Sequence, residues 1–129
     1  MSDENFLFVY GTLRRGHDGR MARWLAERSR LIGLALAAGR LYRVADYPGF
    51  VPGDGGQVVG DLLALADVAA TLAALDDYEE CSDLFPAPHE YRRERIMVDG
   101  PDGAVTAWTY IYALPASGLA LIDNGDFKA

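Results

Sequence analysis

The spacing of apolar residues predicts a strand and then a helix at the start of the chain. The run Phe6-Leu7-Phe8-Val9-Tyr10 is short, aromatic and β-branched, and Gly11 ends it, which is typical of a buried strand. Residues 21–30 follow the helical period instead, because Met21 and Trp24 fall on one side of a helix and the arginines of this segment can face water.

Most of the remaining chain has the short apolar pattern of strands, separated by turn residues. Pro, Gly and Asp cluster at 46–49 and at 52–56, which we predict to be turns or loops. The turn at 99–103 lies between two strand-like segments, so it predicts a hairpin. The predicted strands are 31–44 (one or two strands, with Gly39 between them), 57–65, 91–98 and 105–112, and the tail at 122–127 is predicted to be a loop.

A second helix is predicted from Val68 to about Glu80. Asp67 is its expected N-cap, because an aspartate side chain can bond the free backbone N–H groups of a first helical turn. Many strands with two helices and no regular alternation favour an α+β fold over a doubly wound α/β fold. A partly closed barrel with helices packed outside fits this pattern. We interpret residues 1–129 as a single domain, since no linker or repeat divides them.

The period of this second helix places a carboxylate where an apolar side chain is expected. Val68, Leu72 and Leu75 define the buried stripe, and the next position of the stripe is Glu79. A buried carboxylate is costly unless it is paired or takes up a proton, so its pKa rises toward neutrality, which suits general acid/base work. The alternative is that the helix ends before Glu79 and the side chain turns to water. The pattern alone supports these two interpretations about equally.

Three more acidic residues surround this position. Asp76, Asp77 and Glu80 are close to Glu79 in the sequence, and we interpret all three as solvated. Their negative charges would add a repulsion that raises the pKa of Glu79 further.

The loop after the first strand, Tyr10-Gly11-Thr12-Leu13-Arg14-Arg15-Gly16, has a glycine near each end. Glycines let a backbone turn sharply, and consecutive open N–H groups form a nest that holds an anion or a carbonyl oxygen. The Walker pattern is excluded, because His17 and Asp18 follow the loop in place of Lys and Ser or Thr. On local features alone, an ordinary strand-to-helix turn is the favoured interpretation.

Composition narrows the classes of function. The chain has 129 residues, 50% of them apolar, with 12 basic and 19 acidic residues. The excess of negative charge disfavours binding to nucleic acid and to anionic membranes. The apolar run at 31–38 is too short to span a membrane. The acidic start at 1–5 is unlike a signal peptide, and the single cysteine, Cys81, cannot form an internal disulfide, so we expect a cytoplasmic protein.

Several segments resemble one known family. Phe8-Val9-Tyr10-Gly11-Thr12-Leu13-Arg14-Arg15-Gly16 closely resembles the opening signature of the γ-glutamylcyclotransferase-like family, which is also known for its AIG2-like members in plants. Leu75-Asp76-Asp77-Tyr78-Glu79 resembles the family's helix end, L-D-x-y-E-G. The likeness covers nearly the whole chain, and the other matching segments are Leu41-Tyr42, Tyr47-Pro48-Gly49, Val59-Gly60-Asp61-Leu62, Tyr91-Arg92-Arg93, Ala107-Trp108-Thr109-Tyr110 and Gly125-Asp126-Phe127.

This resemblance implies a small mixed β-barrel with flanking helices and a pocket between the first loop and a catalytic glutamate. Carried over by position, Tyr10, Gly11, Thr12 and Leu13 form the binding loop, and Glu79 is the catalytic acid/base. The implied reaction is a γ-glutamyl cyclotransfer. It releases 5-oxoproline and a free amine or amino acid from a small γ-glutamyl compound, and we expect it to need no cofactor and no metal.

The chain departs from the family pattern beside Glu79. Glu80 stands where the family usually has glycine, and residues 81–89 form a long insert next to the expected mouth of the pocket. These differences concern the substrate more than the reaction. The identity of the leaving amine, the oligomeric state and the role of Asp126 are not readable from the sequence.

Two further side chains are candidates for the substrate site. We expect Tyr91 and Arg93 to reach the pocket and orient Glu79 or the substrate carboxylate, although at least two of Arg92, Arg93 and Arg95 are expected to be solvated. Cys81 is a poor candidate for a nucleophile, because the acidic residues before it would raise its pKa. A non-catalytic module that binds a small metabolite in the same pocket is the alternative function.

Overall fold

The computed structural model describes residues 5–127. Residues 1–4 of the acidic start, and the last two residues of the predicted domain, lie outside this range. Within it, no helix is both long enough and apolar enough to cross a membrane.

The described chain contains two helices and a single sheet, which confirms the predicted α+β class. The elements in chain order are β1 (Phe6–Val9), α1 (Arg20–Glu27), β2 (Ser29–Arg43), β3 (Pro48–Leu65), α2 (Val68–Tyr78), β4 (Tyr91–Gly100), β5 (Gly103–Tyr112) and β6 (Ala120–Leu121).

The sheet closes on itself into a ring. Its strand order is β3-β1-β5-β4-β2-β6, and an additional pairing of β2 with β3 joins the two sides. β1 runs antiparallel to β3 but parallel to β5, where Leu7 pairs with Trp108, so the sheet is mixed. β4 meets β2 at one pair, Leu36 with Asp99. The ring and the two helices agree with the predicted mixed architecture.

The chain buries side chains on both sides of this ring. Along β1, Phe6 and Phe8 join one apolar cluster, while Leu7 and Val9 join a second cluster with Leu25 of α1. Successive side chains of a strand point to opposite faces, so β1 is covered on both. This explains why its sequence is continuously apolar instead of alternating.

The predicted loops at 46–49 and 52–56 are wrong in part, because β3 begins at Pro48 and continues through 52–56. The ladder between β2 and β3 holds Gly39 opposite Pro52 and resumes with Ala38 opposite Gln57. Residues 53–56 therefore bulge from a strand that continues beyond them. Gly and Pro mark a local bend in a sequence, but they do not show whether pairing resumes after it.

The helix boundaries are partly as predicted. α1 ends at Glu27 instead of residue 30, because Ser29 already pairs with Leu65 in the sheet. α2 begins as predicted, and the Asp67 side chain accepts a hydrogen bond of 3.2 Å from the backbone N–H of Ala70, as an N-cap does. The hairpin of β4 and β5 is also confirmed, whereas the short strand β6 was not predicted.

We predict that Gly60→Ala strongly destabilises the fold. A Cβ atom at Gly60 would lie 2.4 Å from the carbonyl oxygen of Val9 and 2.7 Å from the ring of Phe8, in the crowded contact of β3 with β1. Overpacking of this kind costs roughly 1–3 kcal/mol. Gly100→Ala is the control, because its Cβ would first meet the flexible end of Leu62 at 3.0 Å. Urea unfolding followed by circular dichroism measures both, and equal stability of the two variants would contradict this account.

Candidate active site

A cavity of about 480 Å³ lies between the loop after β1, the end of α2 and the start of β4. Four of its lining residues are acidic, and none of the lining residues in the described chain is Arg or Lys. The lining residues are Phe8, Val9, Tyr10, Gly11, Thr12, Leu13, His17, Asp46, Tyr47, Pro48, Tyr78, Glu79, Glu80, Glu90, Tyr91 and Tyr110.

The cavity brings together most of the side chains that the sequence singled out. The loop residues Tyr10, Gly11, Thr12 and Leu13 line one wall, and Glu79 lies on the wall that α2 contributes. Tyr91 lines the cavity as well, and Arg93 does not.

Glu79 takes a position between the two alternatives that its sequence left open. α2 ends at Tyr78 and Glu79 is its C-cap, whose backbone N–H donates to the carbonyl of Leu75 at 2.8 Å. The side chain nevertheless lines the cavity and is half-buried. Burial, followed by repulsion from Glu90 and Glu80, raises the pKa of Glu79 from 4.5 to about 7. This carboxyl group can therefore both take and give a proton near neutral pH.

The backbone after Glu79 fixes its position. The N–H of Glu80 donates to the backbone carbonyl of Asp77 at 3.1 Å and the N–H of Cys81 donates to the backbone carbonyl of Asp76 at 2.9 Å, which are the two bonds of a Schellman motif. Glu80 has a φ of 57°, a left-handed conformation that glycine adopts without strain. This explains in physical terms why the family pattern has glycine here.

The prediction that Asp76 is solvated is wrong. Its carboxylate accepts hydrogen bonds from Nε and Nη2 of Arg93 at 2.8 and 3.2 Å, and from the hydroxyl of Tyr110 at 2.7 Å. Asp77 and Glu80 are exposed, as predicted.

Arg93 lies outside the cavity lining because of this ion pair. Tyr91 and Arg93 share one face of β4. Tyr91 lines the cavity, whereas Arg93, two residues further along the strand, is bound by the carboxylate of Asp76. The guanidinium also stacks on Trp108, 4.4 Å from the ring centroid. The expectation that Arg93 reaches the cavity therefore needs correction, whereas Arg92 and Arg95 are exposed as expected.

Tyr47 and Glu90 are among the cavity residues that the sequence analysis did not predict. The Tyr47 hydroxyl donates to Oε1 of Glu90 at 2.7 Å, and both side chains line the cavity. This hydrogen bond is the main cause that raises the pKa of Tyr47 to about 12. Tyr47 stood in a segment that matched the family, but Glu90 had no periodic or motif signal, so only the tertiary structure reveals it.

Two tyrosines of the cavity are fixed donors. The Tyr10 hydroxyl donates to the carbonyl of Tyr110 at 2.6 Å, and the Tyr91 hydroxyl donates to the carbonyl of Pro48 at 2.6 Å. Burial is the main cause that raises the pKa of Tyr10 and of Tyr91 far above the usual range, and negative charge on Glu79 adds to it. Both phenols therefore stay neutral and shape the cavity instead of exchanging protons.

The insert at 81–89 is flanked by two residues of the cavity lining, and none of its own residues is among them. Glu80 precedes it and Glu90 follows it, and both line the cavity. Within the insert, Nε2 of His89 lies 3.0 Å from the carbonyl oxygen of Phe85, and this contact helps to fold the segment on itself. Burial and the nearby Asp76 raise the pKa of Cys81 to about 11, so its thiol stays protonated.

Among residues 5–127, no group of three or more His, Cys, Asp or Glu side chains is placed to hold a metal ion. Independence from metals and cofactors stays a prediction.

Comparison with known sequences finds the same family that the motifs resemble. Residues 7–129 match the sequence model of a family described as "Gamma-glutamyl cyclotransferase, AIG2-like". The chain is 36% identical over 121 residues to the γ-glutamylcyclotransferase family protein YtfP of Escherichia coli strain K12, and the match covers 94% of each chain.

Solved structures agree on the fold. The solution structure of YtfP from Escherichia coli matches with a TM-score of 0.67 at 36% identity, covering 95% of each chain. An AIG2-like protein from mouse matches with a TM-score of 0.76 at 23% identity, covering 96% of this chain and 88% of its own. YkqA from Bacillus subtilis matches with a TM-score of 0.73 at 25% identity over 95% of this chain, which spans only 39% of YkqA.

We predict that Glu79 makes the stability of the protein depend on pH. Its pKa is about 7 in the folded state and 4.5 ordinarily, so between these values the folded state binds more protons than the unfolded state. Its contribution to the free energy of unfolding therefore falls as the pH rises from 4.5 to 7. Glu79→Gln should gain roughly 1–3 kcal/mol over wild type at pH 8 compared with pH 4, allowing for solvent screening.

Urea unfolding at a series of pH values measures this difference. Glu27→Gln is the control, because Glu27 is exposed on α1 and outside the cavity. A constant difference between Glu79→Gln and wild type across the pH range would contradict the prediction.

Proposed function

The chain belongs to the γ-glutamyl cyclotransferase, AIG2-like family, and from that premise we propose that it is an enzyme that releases 5-oxoproline and a free amine from a small γ-glutamyl compound. The observation that carries the proposal is the half-buried carboxyl of Glu79, which lines the cavity with a pKa of about 7.

In the proposed complex, the glutamyl head of the substrate lies on the first loop. Residues 11–13 line the cavity together with Glu79, and backbone N–H groups of such a loop can hold an α-carboxylate or polarise the γ-carbonyl oxygen. The α-ammonium group of the substrate then faces a cavity rich in carboxylates, which attract it.

The chemistry begins with a proton transfer. Ionised Glu79 accepts a proton from the α-ammonium, and the lone pair of the freed amine attacks the γ-carbonyl carbon. A ring C–N bond forms, and the γ-carbonyl carbon then loses its bond to the leaving nitrogen. Glu79 gives its proton to that nitrogen, then accepts the second proton of the ring nitrogen and passes it to the released amine, so that the lactam keeps one N–H and the enzyme ends in its starting state.

The pKa of Glu79 suits both halves of this cycle. A carboxylate with the ordinary pKa of 4.5 is a poor base for an ammonium group, and its conjugate acid is almost absent at neutral pH. At a pKa of about 7, both forms are populated near neutrality, so one group can act as base and then as acid.

The nucleophile belongs to the substrate, so the reaction needs no serine or cysteine of the protein. Holding the amine against the carbonyl makes the attack intramolecular, and a fixed geometry of this kind supplies roughly 7–11 kcal/mol of the barrier. The high pKa of Cys81 is consistent with a thiol that takes no part.

The other acidic residues of the cavity lining affect which leaving groups the site accepts. Asp46, Glu80 and Glu90 line the cavity, and they would repel a leaving group that carries a second carboxylate. Neutral or cationic leaving amines therefore suit the site better than acidic amino acids.

We predict that the wild-type protein forms 5-oxoproline from a panel of γ-glutamyl amino acids and γ-glutamyl amines, detected by mass spectrometry. Glu79→Gln keeps the shape of the side chain but removes the proton transfer, so lactam formation should fall by roughly 10²–10⁴-fold. Glu27→Gln, on the exposed face of α1, should retain wild-type activity. γ-Glutamyl-glutamate should be the poorest substrate of the panel.

The pH dependence gives a second readout of the same experiment. Because the base must be ionised, kcat/KM should rise as the pH passes through about 7, the pKa of Glu79. Free glutamate in place of the lactam would indicate hydrolysis. Absence of any product, with thermal stabilisation by the same compounds, would indicate the non-catalytic binding module instead.

A further inference from the structure

A buried carboxylate anchors the first loop from behind. Asp61 lies in β3 opposite Val9 and is only 7% exposed. Its Oδ2 accepts a hydrogen bond of 2.9 Å from the backbone N–H of Arg15, and its Oδ1 accepts one of 3.3 Å from Nη2 of Arg14. The carboxylate therefore binds both the backbone and a side chain of the loop.

Arg14 extends this anchor to the C-terminal tail. Its Nη1 donates to Oδ1 of Asp126 at 2.9 Å. The tail is itself held in place, because the carbonyl of Gly125 accepts a bond of 2.7 Å from the N–H of Val59 and Phe127 is buried. Loop, strand and tail meet at one guanidinium.

The guanidinium of Arg14 is therefore bound by two carboxylates, and Arg14 does not line the cavity. At the other end of the same loop segment, Gly11 packs so closely on Pro48 that an added Cβ would lie 2.7 Å from the proline Cγ. Residues 11–13, which line the cavity, are thus held at both ends, by Pro48 and by the Asp61 anchor.

Stability alone is a weak reason for this arrangement. Removing two charges from water costs about as much as their attraction returns, so a buried ion pair often contributes little net stability compared with apolar packing. The hydrogen bonds of Asp61 do fix the direction of the loop backbone, since they bind a main-chain N–H and a guanidinium that bridges two carboxylates. These hydrogen bonds therefore matter more for the geometry of the loop than for the stability of the fold.

We propose that Asp61 is a positioning residue for the cyclotransferase reaction, which holds residues 11–13 in the shape that binds the glutamyl head. The inference rests on the proposed function. Asp61 is not part of the cavity lining, and it acts through Arg14, Arg15 and the loop backbone that they carry.

Steady-state kinetics on Asp61→Asn test this. The amide keeps the shape but loses the charge, so the loop is held less firmly and KM should rise about tenfold. The value of kcat should change less than KM, and the acidic limb of the pH profile should stay at its wild-type position, because Glu79 is untouched. Arg14→Lys, which can satisfy one carboxylate but cannot bridge two, should give an intermediate KM.

Asp67→Asn is the matched control. It makes the same chemical change at another carboxylate that bonds a backbone N–H, at the start of α2 and outside the cavity. Its KM should equal that of wild type. A KM for folded Asp61→Asn or Arg14→Lys within twofold of wild type would overturn the proposal, as would an equal rise in Asp67→Asn.

Amide hydrogen exchange separates this inference from the proposed function. Exchange at residues 11–16 should accelerate in Asp61→Asn and in Arg14→Lys, with wild-type rates in Asp67→Asn. If wild type forms no lactam, the proposed function fails, and unchanged exchange in the loop then overturns the positioning role as well. Accelerated exchange with weaker binding of L-glutamate would sustain that role without the reaction.

Discussion

The burial of one carboxyl group at the end of a helix is the constraint on which the site depends. Glu79 follows the last residue of α2, where the carbonyl ends of the helix already concentrate negative charge. Glu90 and Glu80 add the repulsion of two further carboxylates. Each of these features disfavours the ionised form. Together they bring the pKa of a glutamate close to neutral pH, at a cost in stability that the rest of the fold must offset.

The fold offsets that cost with apolar packing on both sides of the sheet. β1 is covered on both faces, so the strand that leads into the binding loop is among the best-buried parts of the chain. Leu72 and Leu75 pack α2 against the apolar cluster that contains Leu7 and Val9 of β1. The carbonyl of Leu75 also accepts the hydrogen bond from the backbone N–H of Glu79. The loop and the glutamate therefore both line the cavity, and the elements that carry them share one apolar cluster.

Much of this arrangement was predictable from the sequence, because its signals are local. The stripe of Val68, Leu72 and Leu75 pointed to Glu79, and the Asp67 cap and the hairpin turn followed from residue types at fixed spacings. What could not be predicted depends on pairing over long distances. The bond of Tyr47 to Glu90 spans 43 residues, and the pair of Arg93 with Asp76 joins a strand to a helix, so no local pattern distinguishes either from solvated side chains. The bulge at 53–56 was missed for the same reason, since its partner strand decides whether pairing resumes.

The raised pKa of Glu79 is tested most directly by titrating this carboxyl group itself. In protein labelled with ¹³C at the glutamate side-chain carboxyls, NMR follows each signal with pH, and Glu79→Gln assigns the signal of interest by its disappearance. We expect a midpoint of about 7 for Glu79, and a lower midpoint in Glu90→Gln, where one source of repulsion is removed. A midpoint near the ordinary value of 4.5 would contradict it, because the group would then be a solvated carboxylate without the proton affinity that the mechanism requires.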